Sequence, residues 1–353
     1  MIDWDRMQQK GLVVKNTGSH YRVRTNDGSL YDCCIKGNFR LKGIRSTNPI
    51  AVGDCVTFEL ATDKNGETCG WIVDIDDRRN YIIRRASNLS KQSHILAANV
   101  DQCLLVITVS HPETSTTFID RFLATAEAYR IPIHIVINKA DLYSPSEQAI
   151  AHMLITLYEG LGYPCHLLSL TNSANKEKDE EWDNAHSLLP LLLGKTTLLS
   201  GNSGVGKSTL LNALIPGLNQ KTAEISDVHD TGMHTTTFSE MFMLRNIEKT
   251  DAGNENENEP DEQRQDETKD AVGWLIDTPG VKGFGTFDMG REEVSHYFRE
   301  LFHYSKDCRY GNCTHTHEPG CAVLQALDKH LIAASRYTSY LSMLEDKEES
   351  KYR

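Results

Sequence analysis

Residues Gly201 to Thr209 read GNSGVGKST, and this spacing of glycines, a lysine and a hydroxyl describes a loop built to hold phosphate. Gly201, Asn202, Ser203, Gly204, Val205 and Gly206 would turn their backbone N–H groups onto the α- and β-phosphates at a helix N-terminus. Lys207 would reach the β/γ-phosphates, Ser208 would offer its hydroxyl to Mg²⁺, and Thr209 completes the motif. The apolar TTLLS before the loop and STLLNALI after it supply the strand and helix that such a loop requires.

A base-reading motif comes earlier. Asn138 to Asp141 read NKAD, directly after the strand-like IHIVI. A carboxylate at Asp141 can accept two hydrogen bonds from the ring N–H and exocyclic amine of guanine, groups that adenine presents differently. Asn138 and Lys139 would position the loop and cover the base. Alone, the tetrapeptide is equally explained by a structural turn; beside the phosphate loop it specifies guanine. Ser169, closing CHLLS, is expected to set a backbone N–H against the guanine carbonyl.

Two further segments would sense the γ-phosphate. In DTPG, Asp277 to Gly280, the aspartate would hold Mg²⁺ through water and the Gly280 N–H would meet the γ-phosphate. In HTTT, His234 to Thr237, a threonine would complete the Mg²⁺ shell; Thr236 is favoured, with Thr235 as the alternative and a plain strand start as the competing reading. Many GTPases place a Gln shortly after the DTPG glycine, but here Val281 follows Gly280. Intrinsic hydrolysis is therefore expected to be slow. The attacking water would be ordered by His234, unless that residue is structural, or by a group supplied from outside the chain.

Near the C-terminus Cys308, Cys313, His315 and Cys321 form C-x4-C-x-H-x5-C. Three thiols, one imidazole and no carboxylate describe one closed structural zinc site. His317 is the alternative nitrogen ligand, and free reduced cysteines are the alternative to any metal.

The elements that must carry these groups follow from the rest of the chain. Its 353 residues correspond to about two or three domains. A hydrophobic content of 39% with 24 Gly and 10 Pro excludes collagen-like and wholly disordered chains. The longest apolar stretches, Leu104 to Val109 and Leu188 to Leu193, fall short of the roughly 20 residues that cross a bilayer. The charged N-terminus carries no secretory signal, so the cytoplasm is expected. Net charge is -12, yet residues 1 to 91 carry fifteen Lys/Arg against eleven Asp/Glu. That basic front half points to an anionic partner or to ordinary surface scatter.

LVVKN, HYRVRT, YDCCIK, DCVTFEL, WIVDID and NYIIRR read as the short strands of a small barrel. The pattern does not separate an oligonucleotide-binding (OB) barrel from an SH3-like one. From Gln102 onward CLLVITVS, PIHIVINK, PCHLLSL, TTLLSG and VGWLIDT alternate with helical stretches, as in an α/β sheet of buried parallel strands. Residues 248 to 270 carry ten acidic and three basic side chains and are expected to form a disordered acidic insertion, dispensable for nucleotide chemistry. REEVSHYFRELF, the Cys/His cluster and two more helical stretches form a third, mainly helical unit. The expected divisions are 1–85, 86–290 and 291–353.

The order of the motifs is unusual, because NKAD and Ser169 precede the phosphate loop, HTTT and DTPG. The GTPase domain is circularly permuted. This leaves the Cys/His unit tethered to the nucleotide-sensing segments, and a mechanical coupling between them is expected.

The barrel, AANVD at Ala97 to Asp101, the permuted motifs and CTHTHEPGC together resemble the ribosome small subunit-dependent GTPase A family over nearly the whole chain. The resemblance implies an N-terminal OB-fold barrel, a permuted P-loop GTPase domain and a C-terminal zinc domain. It also implies GTP/GDP, Mg²⁺ and zinc as ligands, and action on the maturing small ribosomal subunit and its rRNA, which stimulates hydrolysis. A monomer is expected. Residues implied in these roles are Lys207 and Ser208 for phosphate and Mg²⁺, Asn138 and Asp141 for guanine, and Cys308, Cys313, His315 and Cys321 for zinc. The acidic insertion and Leu170, which follows Ser169 where the family more often has a small residue, depart from the pattern. A nucleotide-gated checkpoint, and a permuted GTPase of another RNA–protein assembly, are the competing functions.

Overall fold

The computed structural model describes residues 8–35, 49–62, 68–85, 93–170, 182–215, 217–218, 239–245, 272–277 and 289–349. Five strands, β1 (Gln8–Asn16), β2 (His20–Thr25), β3 (Leu30–Ile35), β4 (Cys55–Thr62) and β5 (Thr68–Ile75), pair in the order β1-β2-β3-β5-β4, and β4 returns to β1. The β3–β5 pairing is parallel and the other four are antiparallel. This closed Greek-key order is the OB-type barrel. Alternation drives it: Val13, Tyr21, Val23, Cys33, Val56, Phe58 and Ile72 point inward and form one core. The expected TNDGS turn joins β2 to β3 through Gly28 at φ +90°, and the Asp27 carboxylate accepts from the Thr25 hydroxyl and the Ser29 N–H.

NYIIRR does not enter the barrel. It forms β6 (Tyr81–Arg85), which pairs with β7 (Ser93–Ala98) as a separate two-stranded sheet. The closed barrel has no edge left to accept it. This hairpin leads into the next unit, where the Asn80 side chain bonds both the N–H and the C=O of Val100.

The second unit is built from β8 (Gln102–Ile107), α1 (Thr116–Tyr129), β9 (Ile133–Ile137), α2 (Pro145–Gly160), β10 (Cys165–Leu167), α3 (Leu189–Leu192), β11 (Thr196–Ser200), α4 (Lys207–Leu214), β12 (Ser239–Leu244) and β13 (Gly273–Asp277). The strand order is β10-β9-β8-β11-β13-β12, parallel except for β12, which runs antiparallel to β13. All six residues of β8 are buried, as expected for a strand covered on both faces. Ser115 caps α1, and Ser144 with Glu147 forms a capping box at α2 behind Pro145. Lys15 and Asn16 of β1 pair with Glu240 and Ser239 of β12, so barrel and α/β sheet are hydrogen-bonded into one surface. Among the described residues no helix is long and apolar enough to cross a membrane. The stretch 248–270 lies outside the described residues; the strands on either side of it, β12 and β13, are antiparallel neighbours.

REEVSHYFRELF, read as one helix, divides into a 3₁₀ turn (Val294–Tyr297) and α5 (Arg299–Ser305). Phe298, extended between them, is buried against Tyr340. The Cys/His loop leads to α6 (Ala322–Asp328) and α7 (Ala334–Glu349). Their core, with Leu301, Val323 and Met343, includes Ala124 of α1, so the C-terminal unit rests on the α/β unit.

A buried ionic network pins that contact. The Arg336 guanidinium donates to Asp120 at 2.8 Å and to both Glu300 carboxylate oxygens at 2.6 and 3.1 Å. Asp120 also accepts from the Tyr158 and Ser339 hydroxyls. Burial pushes the Asp120 carboxyl up from its usual range, against the pull of Arg336. Arg336→Met would strand two carboxylates in an apolar interior, at a cost of about 3 kcal/mol. We expect a clearly lowered denaturation midpoint for the C-terminal unit, followed by tryptophan-independent probes such as circular dichroism; an unchanged midpoint would show that the network contributes no net stability.

Candidate nucleotide site and candidate metal centre

Because β8, β9, β10, β11 and β13 run parallel, their C-terminal ends lie along one edge of the sheet, the edge at which open α/β sheets bind their ligands. The phosphate loop leaves β11 and enters α4, as the sequence requires. Gly201 must be glycine: at φ +143° a Cβ would stand 2.1 Å from the Val106 carbonyl oxygen. Gly206, at φ +102°, would bring a Cβ within 2.3 Å of the Asn138 carboxamide nitrogen. The NKAD segment and the glycine-rich loop are therefore in contact, and Asn138 Nδ2 donates to the Val205 carbonyl at 2.8 Å. Its Oδ1 is buried with no hydrogen-bond partner among the described residues. A glycine-lined cradle with a buried acceptor fits a polar ligand.

Lys207 donates to the Gly201 and Asn202 carbonyls at 2.9 and 2.7 Å. Burial holds its ammonium below the usual lysine range, and Asp277 opposes that shift. Asp277 ends β13 beside Leu199 of β11 and is almost fully buried. Lys207 and Asp277 thus influence each other at the same end of the sheet. Ser208 and Thr209 form the first turn of α4.

Asp141 sits in a 3₁₀ turn, Ala140–Leu142, after Lys139 at φ 67°. The Ser169 hydroxyl donates to Asp141 Oδ1 at 2.7 Å. The Ser169 backbone N–H donates to the Asp183 carbonyl at 3.0 Å, because Leu168 and Asp183 form a short parallel bridge, so the amide is committed within the protein. The Ser169 hydroxyl is the group that meets the Asp141 carboxylate.

The segment Thr108 to Thr114, after β8, was not singled out from sequence. Lys139 Nζ donates to the His111 carbonyl, a Cβ on Gly204 would lie 3.3 Å from Pro112, and Thr108 bonds both Thr114 and the Pro112 carbonyl. This loop thus touches both the NKAD segment and the glycine-rich loop. The dipeptide His111-Pro112 was its one signal. His234, Thr235, Thr236 and Gly280 lie outside the described residues.

The second site is the Cys/His cluster. One donor atom from each of Cys308, Cys313, His315 and Cys321 lies within 4.8 Å of all the others. The Cys308 and Cys321 sulfurs are 3.9 Å apart, and His315 Nδ1 lies 3.6 and 3.4 Å from them. The edges of a tetrahedron about zinc are about 3.8 Å for S···S and about 3.5 Å for S···N, so the donors fit that ion. Two thiols also accept backbone N–H groups, Cys308 from Ala322 and Cys321 from Leu324, bonds that fix where these sulfurs point. The Tyr337 and Tyr340 hydroxyls hold the His315 and Thr314 carbonyls. His317 is exposed and turned to Thr316; the geometry selects His315. Purified protein should carry one zinc per chain, and Cys313→Ala should reduce it to below about a tenth while leaving nucleotide affinity within about twofold. Elemental analysis showing no zinc in the unmutated protein would contradict the assignment.

The arrangement has known counterparts. Residues 10–68 match the RsgA N-terminal domain and residues 75–251 match the RsgA GTPase model. The small ribosomal subunit biogenesis GTPase RsgA of Phocaeicola vulgatus is 58% identical over 344 residues, covering 98% of this chain and 99% of that protein. The protein of the same name from Porphyromonas gingivalis is 52% identical, with coverage of 97% and 98%. The crystal structure of YjeQ from Thermotoga maritima superimposes with a TM-score of 0.66 at 30% identity, covering 96% of this chain and 98% of that one. YloQ, described as a circularly permuted GTPase, shares the fold at 23% identity with a TM-score of 0.62, covering 100% of this chain and 99% of its own.

Proposed function

The chain belongs to the RsgA GTPase family, and on that premise we propose that it uses GTP hydrolysis to time its association with the maturing small ribosomal subunit. The observation that carries this reading is the contact of two loops: NKAD touches the phosphate loop through Asn138 and Val205, while relatives named for small-subunit biogenesis align over nearly the whole chain.

In this reading Asp141, steadied by Ser169, accepts the guanine donors, and Asn138 fixes the distance from base to phosphate. Lys207 exchanges the Gly201 and Asn202 carbonyls for the β/γ-phosphate oxygens. Ser208, Asp277 through water and Thr236, or Thr235, hold Mg²⁺, which neutralises charge on the phosphates when bound. Gly280 faces the γ-phosphate, and His234 orders the attacking water in the subunit-bound protein. The OB barrel approaches rRNA, with Arg and Lys tracking phosphates and exposed aromatics such as Trp71 offering stacking faces. One zinc holds the C-terminal unit, and the protein works in the cytoplasm as a monomer.

Centrifugation through sucrose with purified subunits tests the association. The protein should pellet with small subunits in the presence of a non-hydrolysable GTP analogue and be released with GDP. Pelleting that ignores the nucleotide, or that prefers large subunits, would remove the proposal.

A further inference from the structure

Tyr143 lies two residues beyond Asp141, with a side chain that is almost fully buried. Its hydroxyl donates to the Asn138 carbonyl and accepts the Val109 N–H at 2.9 Å, and both bonds are buried. Asn138 is thereby held at three points: its amide donates to Ile107 of β8, its carbonyl accepts from Tyr143 and its carboxamide donates to Val205 of the phosphate loop. Val109 lies in the segment that receives Lys139 at His111 and abuts Gly204 at Pro112. One phenol therefore joins the NKAD segment to the loop against which the glycine-rich loop lies. Nothing in the motif itself demands a tyrosine there.

We propose that Tyr143 is a positioning residue for guanine recognition, setting NKAD in register with the phosphate loop through the Asn138 carbonyl and the Val109 amide. The inference rests on the assignment of NKAD to guanine. The phenol stays a neutral donor at working pH, since burial pushes it up to about 12. Removing the hydroxyl while keeping the ring leaves a buried carbonyl and a buried N–H without their partner. The loop can recover those bonds only by shifting, and a shift of Asn138 carries Asp141 with it.

Tyr143→Phe tests this with GTP, inosine triphosphate and GDP as probes. The KM for GTP and the Kd for GDP should rise about tenfold, while kcat at saturating GTP stays within twofold. Inosine triphosphate lacks the exocyclic amine that Asp141 reads, so it has less to lose, and the GTP-over-inosine preference should shrink severalfold. A merely structural role would weaken both nucleotides equally. Equal weakening, or an unchanged GTP affinity, overturns the proposal. If the variant does not fold, hydrogen exchange in the unmutated protein decides: GDP should slow exchange of the Val109 amide at least tenfold, and exchange indifferent to GDP overturns it. Should the unmutated protein bind ATP as tightly as GTP, the guanine assignment itself falls; intact guanine specificity with an unaffected variant removes Tyr143 alone.

Discussion

Asp141→Asn should lower the affinity for GTP about a thousandfold and transfer part of it to xanthosine triphosphate. A carboxylate offers about four lone-pair sites. One at Oδ1 takes the Ser169 hydroxyl at 2.7 Å, which fixes the plane of the group for a donor pair presented by the base. An asparagine keeps one oxygen but turns two N–H donors toward a guanine amine that is also a donor. A site built around hydrogen bonds discriminates by factors of about 10⁴ when they are lost, and the retained oxygen moderates that here. Xanthine replaces the amine with a carbonyl that the new N–H can meet. Competition binding with the three triphosphates measures the exchange; a variant that still prefers GTP over xanthosine triphosphate by the original margin would remove Asp141 from base recognition.

Lys207→Ala should reduce kcat/KM for GTP at least a thousandfold, or about 4 kcal/mol of transition-state stabilisation. The ammonium is buried and held by two loop carbonyls, Gly201 and Asn202. Burial lowers its pKa, because few waters remain to solvate the charge. A cation so placed is pre-organised to meet phosphate and interacts strongly through a poorly hydrated medium. Alanine removes the charge and leaves both carbonyls without the ammonium. Single-turnover assays at saturating enzyme separate binding from chemistry, and a loss below tenfold would mean that the charge on the phosphates is balanced elsewhere.

What the sequence revealed about this site was local. The phosphate loop, NKAD and the cysteine spacing are short, and each carries its own strand or turn context, so residues 201 to 209, 138 to 141 and 308 to 321 could be read before any fold was known. The parallel strands were equally legible, since burial on both faces leaves continuous apolar runs such as CLLVI. Pairing was not legible. NYIIRR has the composition of a barrel strand, yet it joins β7 because β4 closes on β1. SEMFML, the antiparallel β12, is not marked by a pattern of its own, because its mixed burial gives neither alternation nor a continuous apolar run. Ser169 shows a finer limit: its place at the end of CHLLS was legible, but the bond of its amide to Asp183 depends on a bridge that no motif announces.

The long-range groups were wholly hidden. Arg336, Asp120 and Glu300 meet across separations of 216 and 36 residues, and as single charged residues on helical stretches they read as solvent-facing. REEVSHYFRELF has helical spacing throughout, but burying Phe298 against Tyr340 breaks it in two. Tyr143 looked like an ordinary residue after a motif, and its importance appears only when Val109 arrives from β8.

GTP turnover by the purified chain, alone and with small or large ribosomal subunits, tests the central claim most directly. We predict slow turnover by the chain alone, acceleration by small subunits only, and a His234→Ala variant that loses most of the acceleration while binding GTP normally. Turnover that is the same with and without small subunits, or that large subunits stimulate equally, would contradict the account.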